Sequence, residues 1–308
     1  MSGDATHARA PGPRYKTWGQ RKPDRQYRDR LRHILDHGVL AKTTPQGVGA
    51  LTCFGTLPSM VFPIENGVPL ITERRLPSWR QAIAEIIAFI NGARTLDDLE
   101  RYGCRLWNGY RTWTEWQYGL PFGDLGPGSY GAVFHDYPTT GGERLNQLAN
   151  VVEQIQQHPH LRTHRVTNWR PDMTAEGAHR KVLIAPCHGE MHFRVLNGQL
   201  NLIMNQRSGD MPLGVPHNMI QYAALLLMVA QVTGYAPGTY VHGLLGDIHV
   251  YEDQVPLMHE LLQRPTGRFP ILRLDPSVTD LFDFRAKHFT LEEYDEAGPT
   301  LPGIPFSL

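Results

Sequence analysis

Apolar residues recur at helical spacing in several stretches of the chain. In the first of them Tyr27, Leu31 and Ile34 fall on one helix face, and Gly38 follows as a stop signal. Spacing and capping signals of this kind predict helices over residues 24–36, 79–90, 95–102, 145–157, 219–233 and 254–263. The segment 219–233 is apolar at nearly every position, so we expect it to be a buried helix.

Alternating apolar and polar positions predict the strands. We expect them within residues 47–64, 165–168, 181–185, 192–196, 199–205, 239–244 and 269–274. The dipeptide Asn197-Gly198 between two alternating runs predicts a tight hairpin. Hairpins together with segregated helices are typical of an α+β fold, here as one domain over residues 21–308. Residues 1–20 are rich in Gly, Pro and Arg and show no period, and we expect them to form a mobile tail.

The composition excludes several classes of protein. The 308 residues contain 30 Lys and Arg against 30 Asp and Glu, which argues against binding to nucleic acid by bulk charge. No apolar run approaches the ~18 residues of a membrane span, and the first residues lack the apolar core of a secretory signal. The odd number of cysteines, 3, fits a reducing compartment. We therefore expect a soluble cytoplasmic protein with no membrane or nucleic-acid partner and no metal ion.

Cys187 is the first candidate for chemistry. It follows Ala185-Pro186 and has polar neighbours, and a nearby cation would favour its reactive thiolate form. From local sequence alone a lone cysteine is more often a packing residue than a nucleophile. Cys53 lies in an apolar alternation and Cys104 beside a turn, so for these two only packing is indicated.

A polar run from residue 205 to 218 follows the hairpin and precedes the apolar helix. The guanidinium of Arg207 suits a phosphate, and Ser208 offers an auxiliary donor. Asn218 can present both a donor and an acceptor to a pyrimidine edge. A polar loop with a helix cap is the alternative for any one of these residues.

Several long motifs, in the same order, resemble the thymidylate synthase family. They are Pro186-Cys187-His188, the runs 206–210 and 213–216 with Asn218, the run 246–251 (GDIHVY), the loop 123–131, the run 69–72 and the helix that bears Glu85. The resemblance covers residues 25–295. It implies a single domain with a mixed or antiparallel sheet and packed helices, acting as a homodimer. It also implies an enzyme that transfers a one-carbon unit from 5,10-methylenetetrahydrofolate to C5 of a pyrimidine nucleotide.

The resemblance also implies a role for each matching residue. Cys187 would attack C6 of the ring, Arg207 would bind the phosphate close to the thiol and lower its pKa, and Glu85 and Tyr130 would move protons. Ser208 would bind the phosphate, Asn218 would read the base, and Arg162 would reach the phosphate of the partner subunit's site. His249 and Tyr251 would hold the sugar. Trp107, Asp210, Leu213 and Gly214 would contact the folate.

The chain departs from the family pattern around the phosphate, the base and the folate tail. Pro45 and Thr163 stand where arginines are usual, although Arg165 could substitute for one of them. His217 stands where a phenylalanine is usual, and residues 303–308 lack the familiar C-terminal sequence. These departures favour a specialised member. Asn218 favours uracil over cytosine, and Trp107 favours methylation. Hydroxymethylation of a pyrimidine nucleotide, and a non-catalytic nucleotide- or RNA-binding role, are the alternatives.

Overall fold

The computed structural model of the protein describes residues 12–113, 116–295 and 297–306. The helices are α1 Gln26–His37, α2 Trp79–Ile90, α3 Leu96–Arg101, α4 Tyr130–His135, α5 Gln147–Gln157, α6 Pro171–Thr174, α7 Gly214–Thr233 and α8 Val255–Leu261. The strands are β1 Val39–Ala41, β2 Ala50–Phe54, β3 Met60–Pro63, β4 Tyr137–Pro138, β5 Arg144–Leu145, β6 Arg165–Val166, β7 His188–Leu196, β8 Gln199–Asp210, β9 Ala236–Tyr251, β10 Ile271–Leu274 and β11 Phe289–Glu292.

A large mixed sheet organises the molecule, with strand order β1-β2-β9-β8-β7-β6 and with β3 also paired to β9. The neighbours in this sheet are antiparallel except β8 and β9, which are parallel. A parallel pair needs a crossover connection, and α7 supplies it. The α+β fold with a mixed sheet and packed helices is therefore confirmed.

The buried helix α7 covers one face of the sheet, and a second buried helix, α2, packs on α7. α7 is buried along nearly its whole length and ends at Gly234, whose φ of 82° gives the left-handed conformation common after helices. α2 is buried from Ala82 to Ile90 and packs against α7. Both helices therefore run through the core, which explains why their sequences are apolar almost all round.

The predicted hairpin is confirmed between β7 and β8. Asn197 and Gly198 both have positive φ, 49° and 74°, as a tight turn with the twist of the flanking strands requires. β7 extends back to His188 and β8 extends on to Asp210, so both strands are longer than their alternating runs predicted.

One predicted strand is absent. Residues 181–185 form no strand, and their backbone bonds go elsewhere: the Lys181 N–H donates to the Met173 carbonyl in α6, and the Leu183 N–H donates to the Leu125 carbonyl in a loop. The short helix α4 lies in a part of the chain for which the hydrophobic pattern predicts no helix.

Part of the predicted tail contacts the body of the protein. The Tyr15 hydroxyl donates to the Leu272 carbonyl at 2.7 Å, and the Lys16 N–H donates to the Glu65 carbonyl at 2.8 Å. Residues 1–11 lie outside the described part, so the mobility of residues 1–20 stays a prediction, as does the domain boundary. Within the described ranges no helix has the length and apolar character needed to cross a bilayer.

Candidate active site

Cys187 lies directly before β7, is half-buried and is hydrogen-bonded to β8. Its carbonyl accepts from the N–H groups of Arg207 at 2.8 Å and Ser208 at 3.3 Å. Its own N–H donates to the Tyr130 hydroxyl at 2.7 Å, and its thiol donates to the Ala185 carbonyl at 3.4 Å. Backbone bonds thus hold Cys187 against the beginning of the polar run 205–218.

The guanidinium of Arg207 is fixed beside the thiol. It donates to the carbonyls of Pro186 at 2.7 Å and Ala185 at 2.9 Å, lies 3.7 Å from the Cys187 sulfur, and stacks over Trp169. Burial raises the pKa of the Cys187 thiol, and Arg207 is the largest opposing influence. The predicted lowering of the pKa by Arg207 is therefore present but is outweighed by desolvation.

Tyr130 lies between the thiol loop and the core. Its ring stacks on His188 at 4.6 Å and on Phe89 at 4.7 Å. His188 Nδ1 lies 2.7 Å from the Tyr222 hydroxyl, and burial lowers the pKa of His188 to about 3, so its ring is neutral. The phenols of Tyr130 and Tyr222 are also neutral, because burial raises the pKa of each. Of these groups around Cys187, Arg207 is therefore the one that carries a positive charge.

Glu85 lies in the middle of α2 and is only 7% exposed. The Trp107 indole donates to one carboxylate oxygen, and Gln221 Nε2 donates to the other at 2.8 Å. Burial raises the pKa of Glu85 to about 7, and these two donors oppose the shift. A carboxyl group that titrates near neutral pH is suited to proton transfer in both directions.

A chain of buried amides joins Glu85 to the base-reading candidate Asn218. Asn218 Nδ2 donates to Gln221 Oε1 at 2.9 Å, and Asn218 Oδ1 accepts from Gln206 Nε2 at 3.1 Å. Gln206 Oε1 in turn accepts from His242 Nε2 at 2.6 Å. Sequence reasoning missed the part that Gln206 and Gln221 play here, although a glutamine inside an almost wholly apolar helix was an available signal.

Asp210 is the last residue of β8 and lies in the connection just before α7. Its carboxylate accepts from the Leu213 N–H and from Gln254 Nε2, each at 2.9 Å, and burial raises its pKa. Gly214, the residue after Leu213, is the first residue of α7. The three predicted folate contacts Asp210, Leu213 and Gly214 thus form one turn.

Aromatic rings form a wall near Glu85. Trp107 makes edge contacts with Tyr130 and Phe89 and a tilted contact with Tyr110, and Tyr110 contacts Trp113. The rings thus form a cluster of edge-to-face and tilted contacts beside the buried Glu85 carboxyl. Among the described residues no cluster of three or more His, Cys, Asp or Glu could hold a metal ion.

His217 replaces an apolar side chain at the first turn of α7. Its Nδ1 lies 2.6 Å from the Leu213 carbonyl and its Nε2 lies 2.7 Å from the Ser78 hydroxyl. Burial lowers the pKa of His217 to about 4, so the neutral ring donates to Leu213 and accepts from Ser78. The residue joins the beginnings of α2 and α7.

The two sugar-binding candidates follow from the strand register. β9 pairs with β8 so that His249 faces Asp210 and Asp247 faces Ser208. Asp247 accepts from Thr52 at 2.5 Å and lies 2.9 Å from His249 Nδ1. The His249 and Tyr251 rings are 4.9 Å apart. Both side chains therefore lie on the strand next to the phosphate candidates.

The remaining arginines are placed away from the thiol. Arg162 is exposed before β6, and its carbonyl accepts from His192 at 2.9 Å. Arg165 pairs with Glu190 at 2.8 Å. None of the contacts described within one chain joins Arg162 or Arg165 to Cys187.

The described site combines a thiol beside a guanidinium, a buried carboxyl with a pKa raised to about 7 and a buried chain of amides. A nucleophile, a cation and a proton carrier in one place are typical of an enzyme active site. The chain matches the thymidylate synthase family model over residues 25–302 and belongs to the thymidylate synthase family. The resemblance stated from the motifs is thereby confirmed. Membership supports folate-dependent methyl or hydroxymethyl transfer to a pyrimidine.

Proposed function

We propose that this protein transfers a one-carbon unit from 5,10-methylenetetrahydrofolate to C5 of a uracil nucleotide, UMP or dUMP, as a methyl group. One observation carries the proposal. The Cys187 sulfur lies 3.7 Å from the Arg207 guanidinium, and Tyr130, whose hydroxyl accepts from the Cys187 N–H, also interacts with Glu85, whose pKa is raised to about 7. A nucleophile, an anion site and a proton carrier are the groups that this reaction needs.

Cys187 is the nucleophile of this proposal. C5 of uracil is a weak nucleophile, and addition of the thiolate to C6 forms an S–C bond and moves the ring electron pair towards C5 and O4. The thiol is held protonated by burial in the free protein, and Arg207 stabilises the thiolate. Addition therefore requires that the thiol proton leaves when substrate binds.

The nucleotide is held from three sides. Arg207 and Ser208 bind the phosphate as a cation and a hydroxyl donor, since charge-assisted bonds are the strong ones. His249 and Tyr251 hold the sugar from the neighbouring strand. Asn218 reads the base edge, with its amide oxygen towards N3–H and its amide nitrogen towards O4.

Glu85 and Tyr130 handle the protons. Glu85 titrates near neutral pH and can deliver a proton to or remove one from the ring. The Tyr130 hydroxyl accepts from the Cys187 N–H, next to the thiol that would bond to C6, and we assign removal of the C5 proton to it.

Trp107, Asp210, Leu213 and Gly214 would hold the folate. Bound methylenetetrahydrofolate supplies the carbon and, for methylation, the hydride. The indole of Trp107 is fixed by its bond to Glu85 and by edge contacts with Phe89 and Tyr130. A ring fixed in this way excludes water from the transferred carbon and favours methylation.

Hydroxymethyl transfer is the second candidate. The polar pair His217–Ser78 lies beside Leu213, where the family usually has an apolar ring. A polar pair in this place can bind a water molecule near the transferred carbon, and water in place of hydride gives the hydroxymethyl product.

We also propose that the protein acts as a homodimer through the uncovered face of the sheet. Val61 and Ile203 are 46% and 43% exposed, and the register places both opposite Val241 on β9. Leu245, 56% exposed, continues the row. An exposed apolar surface on a sheet marks an interface, and a second copy would bring Arg162 to the neighbouring site.

The test is a dihydrofolate assay with methylenetetrahydrofolate and UMP or dUMP. A gain of dihydrofolate absorbance together with a C5-methyl product supports methylation. A C5-modified product without that absorbance identifies hydroxymethylation. Nucleotide binding without any product would overturn the enzyme proposal and leave a nucleotide- or RNA-binding role.

A further inference from the structure

The amide of Asn218 lies between two other buried amides. Gln206, Asn218 and Gln221 are at most 4% exposed, and none of their bonds described above goes to solvent. Each amide group accepts at its oxygen and donates at its nitrogen, so a chain of amides has a direction. That direction decides which end of Asn218 is oxygen and which is nitrogen.

One end of the chain is fixed by a backbone carbonyl. Gln206 Nε2 donates to the Ser208 carbonyl at 3.0 Å as well as to Asn218 Oδ1 at 3.1 Å. A carbonyl oxygen can only accept, so the Gln206 nitrogen must lie on this side. Asn218 therefore meets a donor at Gln206 and must present its oxygen there.

The other end is fixed by Glu85. Its first oxygen accepts from Trp107, and its second accepts from Gln221 Nε2 at 2.8 Å. An ionised carboxylate can only accept, so Gln221 points its nitrogen at Glu85 and its oxygen at Asn218. Asn218 must then present its nitrogen to Gln221.

We propose that Gln221 is a positioning residue for base specificity, because it transmits the acceptor character of Glu85 to the amide of Asn218. This proposal rests on the proposed function, in which Asn218 reads the base. Held in this direction, Asn218 keeps one lone pair and one N–H for the substrate. They match N3–H and O4 of uracil and mismatch N3 and the amino group of cytosine.

Turning Asn218 over to read cytosine would leave two mispaired contacts. Its nitrogen would face Gln206 Nε2, and its oxygen would face Gln221 Oε1. Gln221 could relieve its contact only by turning its own oxygen towards Glu85. Buried mispaired polar groups are costly, so the whole chain resists the cytosine-reading orientation.

Protonation of Glu85 releases one end of the chain. A protonated Oε2 can donate to the Gln221 oxygen, so that Gln221 turns and only the contact with Gln206 still opposes a turned Asn218. Cys104, Tyr110, Tyr130 and Tyr222 are the titratable groups that interact with Glu85 from the packed elements. Burial raises the pKa of all four, so they stay neutral while Glu85 titrates.

The test measures dissociation constants of UMP, dUMP, CMP and dCMP by calorimetry with the full-length protein. At about pH 8.5, above the Glu85 pKa, Gln221→Met should lower the ratio of uracil to cytosine affinity about tenfold, with most of the change in a gain for cytosine. Gln221→Asn keeps an amide but is one methylene too short to reach both neighbours, and it should lower the ratio as well.

Gln231→Met is the matched control in the same helix. Gln231 Nε2 donates only to the carbonyls of Asp275 and Val278 in its described contacts, at 2.9 Å and 2.8 Å. This variant should lower stability without changing the ratio. The wild-type ratio itself should rise between about pH 6 and 8.5, a measurement that needs no variant to fold.

An unchanged ratio in folded Gln221→Met and Gln221→Asn, or a flat wild-type ratio across this pH range, would overturn the proposal. Neither result would affect the proposed one-carbon transfer. Conversely, binding with the expected ratio but without turnover would remove the proposed reaction and leave the role of Gln221 standing. A wild-type protein that binds none of the four nucleotides would overturn both.

Discussion

Burial controls the chemistry of single residues in this site more than charge does. It raises the pKa of Glu85 to about 7 and raises the pKa of Cys187, and it lowers the pKa of His188 to about 3. The identity of these residues could be predicted from motifs. Their ionisation could not, because desolvation depends on packing by residues distant in sequence.

Replacing Cys187 with serine should abolish turnover and leave nucleotide affinity nearly unchanged. A serine hydroxyl is a far weaker nucleophile near neutral pH, while the backbone bonds from Arg207 and Ser208 to residue 187 remain. Kinetics and calorimetry check the two halves. Cys53→Ser and Cys104→Ser are controls that should affect stability alone, and turnover above about one per cent in Cys187→Ser would contradict covalent catalysis.

Glu85 makes the stability of the protein depend on pH. Its pKa is about 7 in the folded protein against an ordinary 4.5, so the folded state binds the proton more tightly. The stability that this gives is complete below pH 4.5 and is lost as pH rises through 7. Glu85→Gln removes the titrating group. As the pH rises from 4.5 to 7, the free energy of unfolding of the variant should therefore increase by about 3 kcal/mol relative to that of the wild type. Denaturant unfolding across pH measures the difference, and parallel curves would contradict it.

At the scale of elements, hydrophobic periodicity predicted most helices but did not predict which strands pair with each other. α1 and α2 lie close to their predicted ranges because their apolar stripes face the core. The pairing of β8 with β9 as parallel strands could not be predicted, since alternation shows that a strand has a buried face and not which strand lies beside it. Residues 181–185 alternate like a strand, yet their backbone bonds go to α6 and to a loop and not to a neighbouring strand.

The C-terminal segment is joined to the site by one side chain. Gln254 Nε2 donates to Asp210 and to the Pro305 carbonyl, each at 2.9 Å, while its oxygen accepts from the Tyr251 N–H. Gln254→Leu should raise the KM for methylenetetrahydrofolate about tenfold, because Asp210 loses a donor and the segment loses its anchor. Steady-state kinetics checks this, with the exposed Gln263→Leu as control. A change in nucleotide KM alone would contradict it.

At the scale of the whole molecule, α7 and α1 cover one face of the sheet, and among the described residues no helix covers the other. The uncovered face carries exposed apolar side chains where the covered face carries the core. Arg162 lies in the segment before β6, the edge strand of the same sheet, and does not contact Cys187 within the described part of its own chain. The family resemblance implies Arg162 as a phosphate ligand, and in the proposed homodimer a second copy would make it one.

Subunit exchange tests this arrangement. Cys187→Ala protein lacks the nucleophile, and Arg162→Ala protein should be weakened roughly tenfold or more by loss of a charged phosphate contact. In a hybrid dimer, one site combines the intact Cys187 of one protomer with the intact Arg162 of the other. In an equal mixture, random exchange makes about half of the dimers hybrid. One of the two sites in each hybrid is intact, so the mixture should recover about a quarter of the wild-type activity. Mass spectrometry confirms the exchange, and exchanged dimers without recovered activity would place Arg162 outside the site.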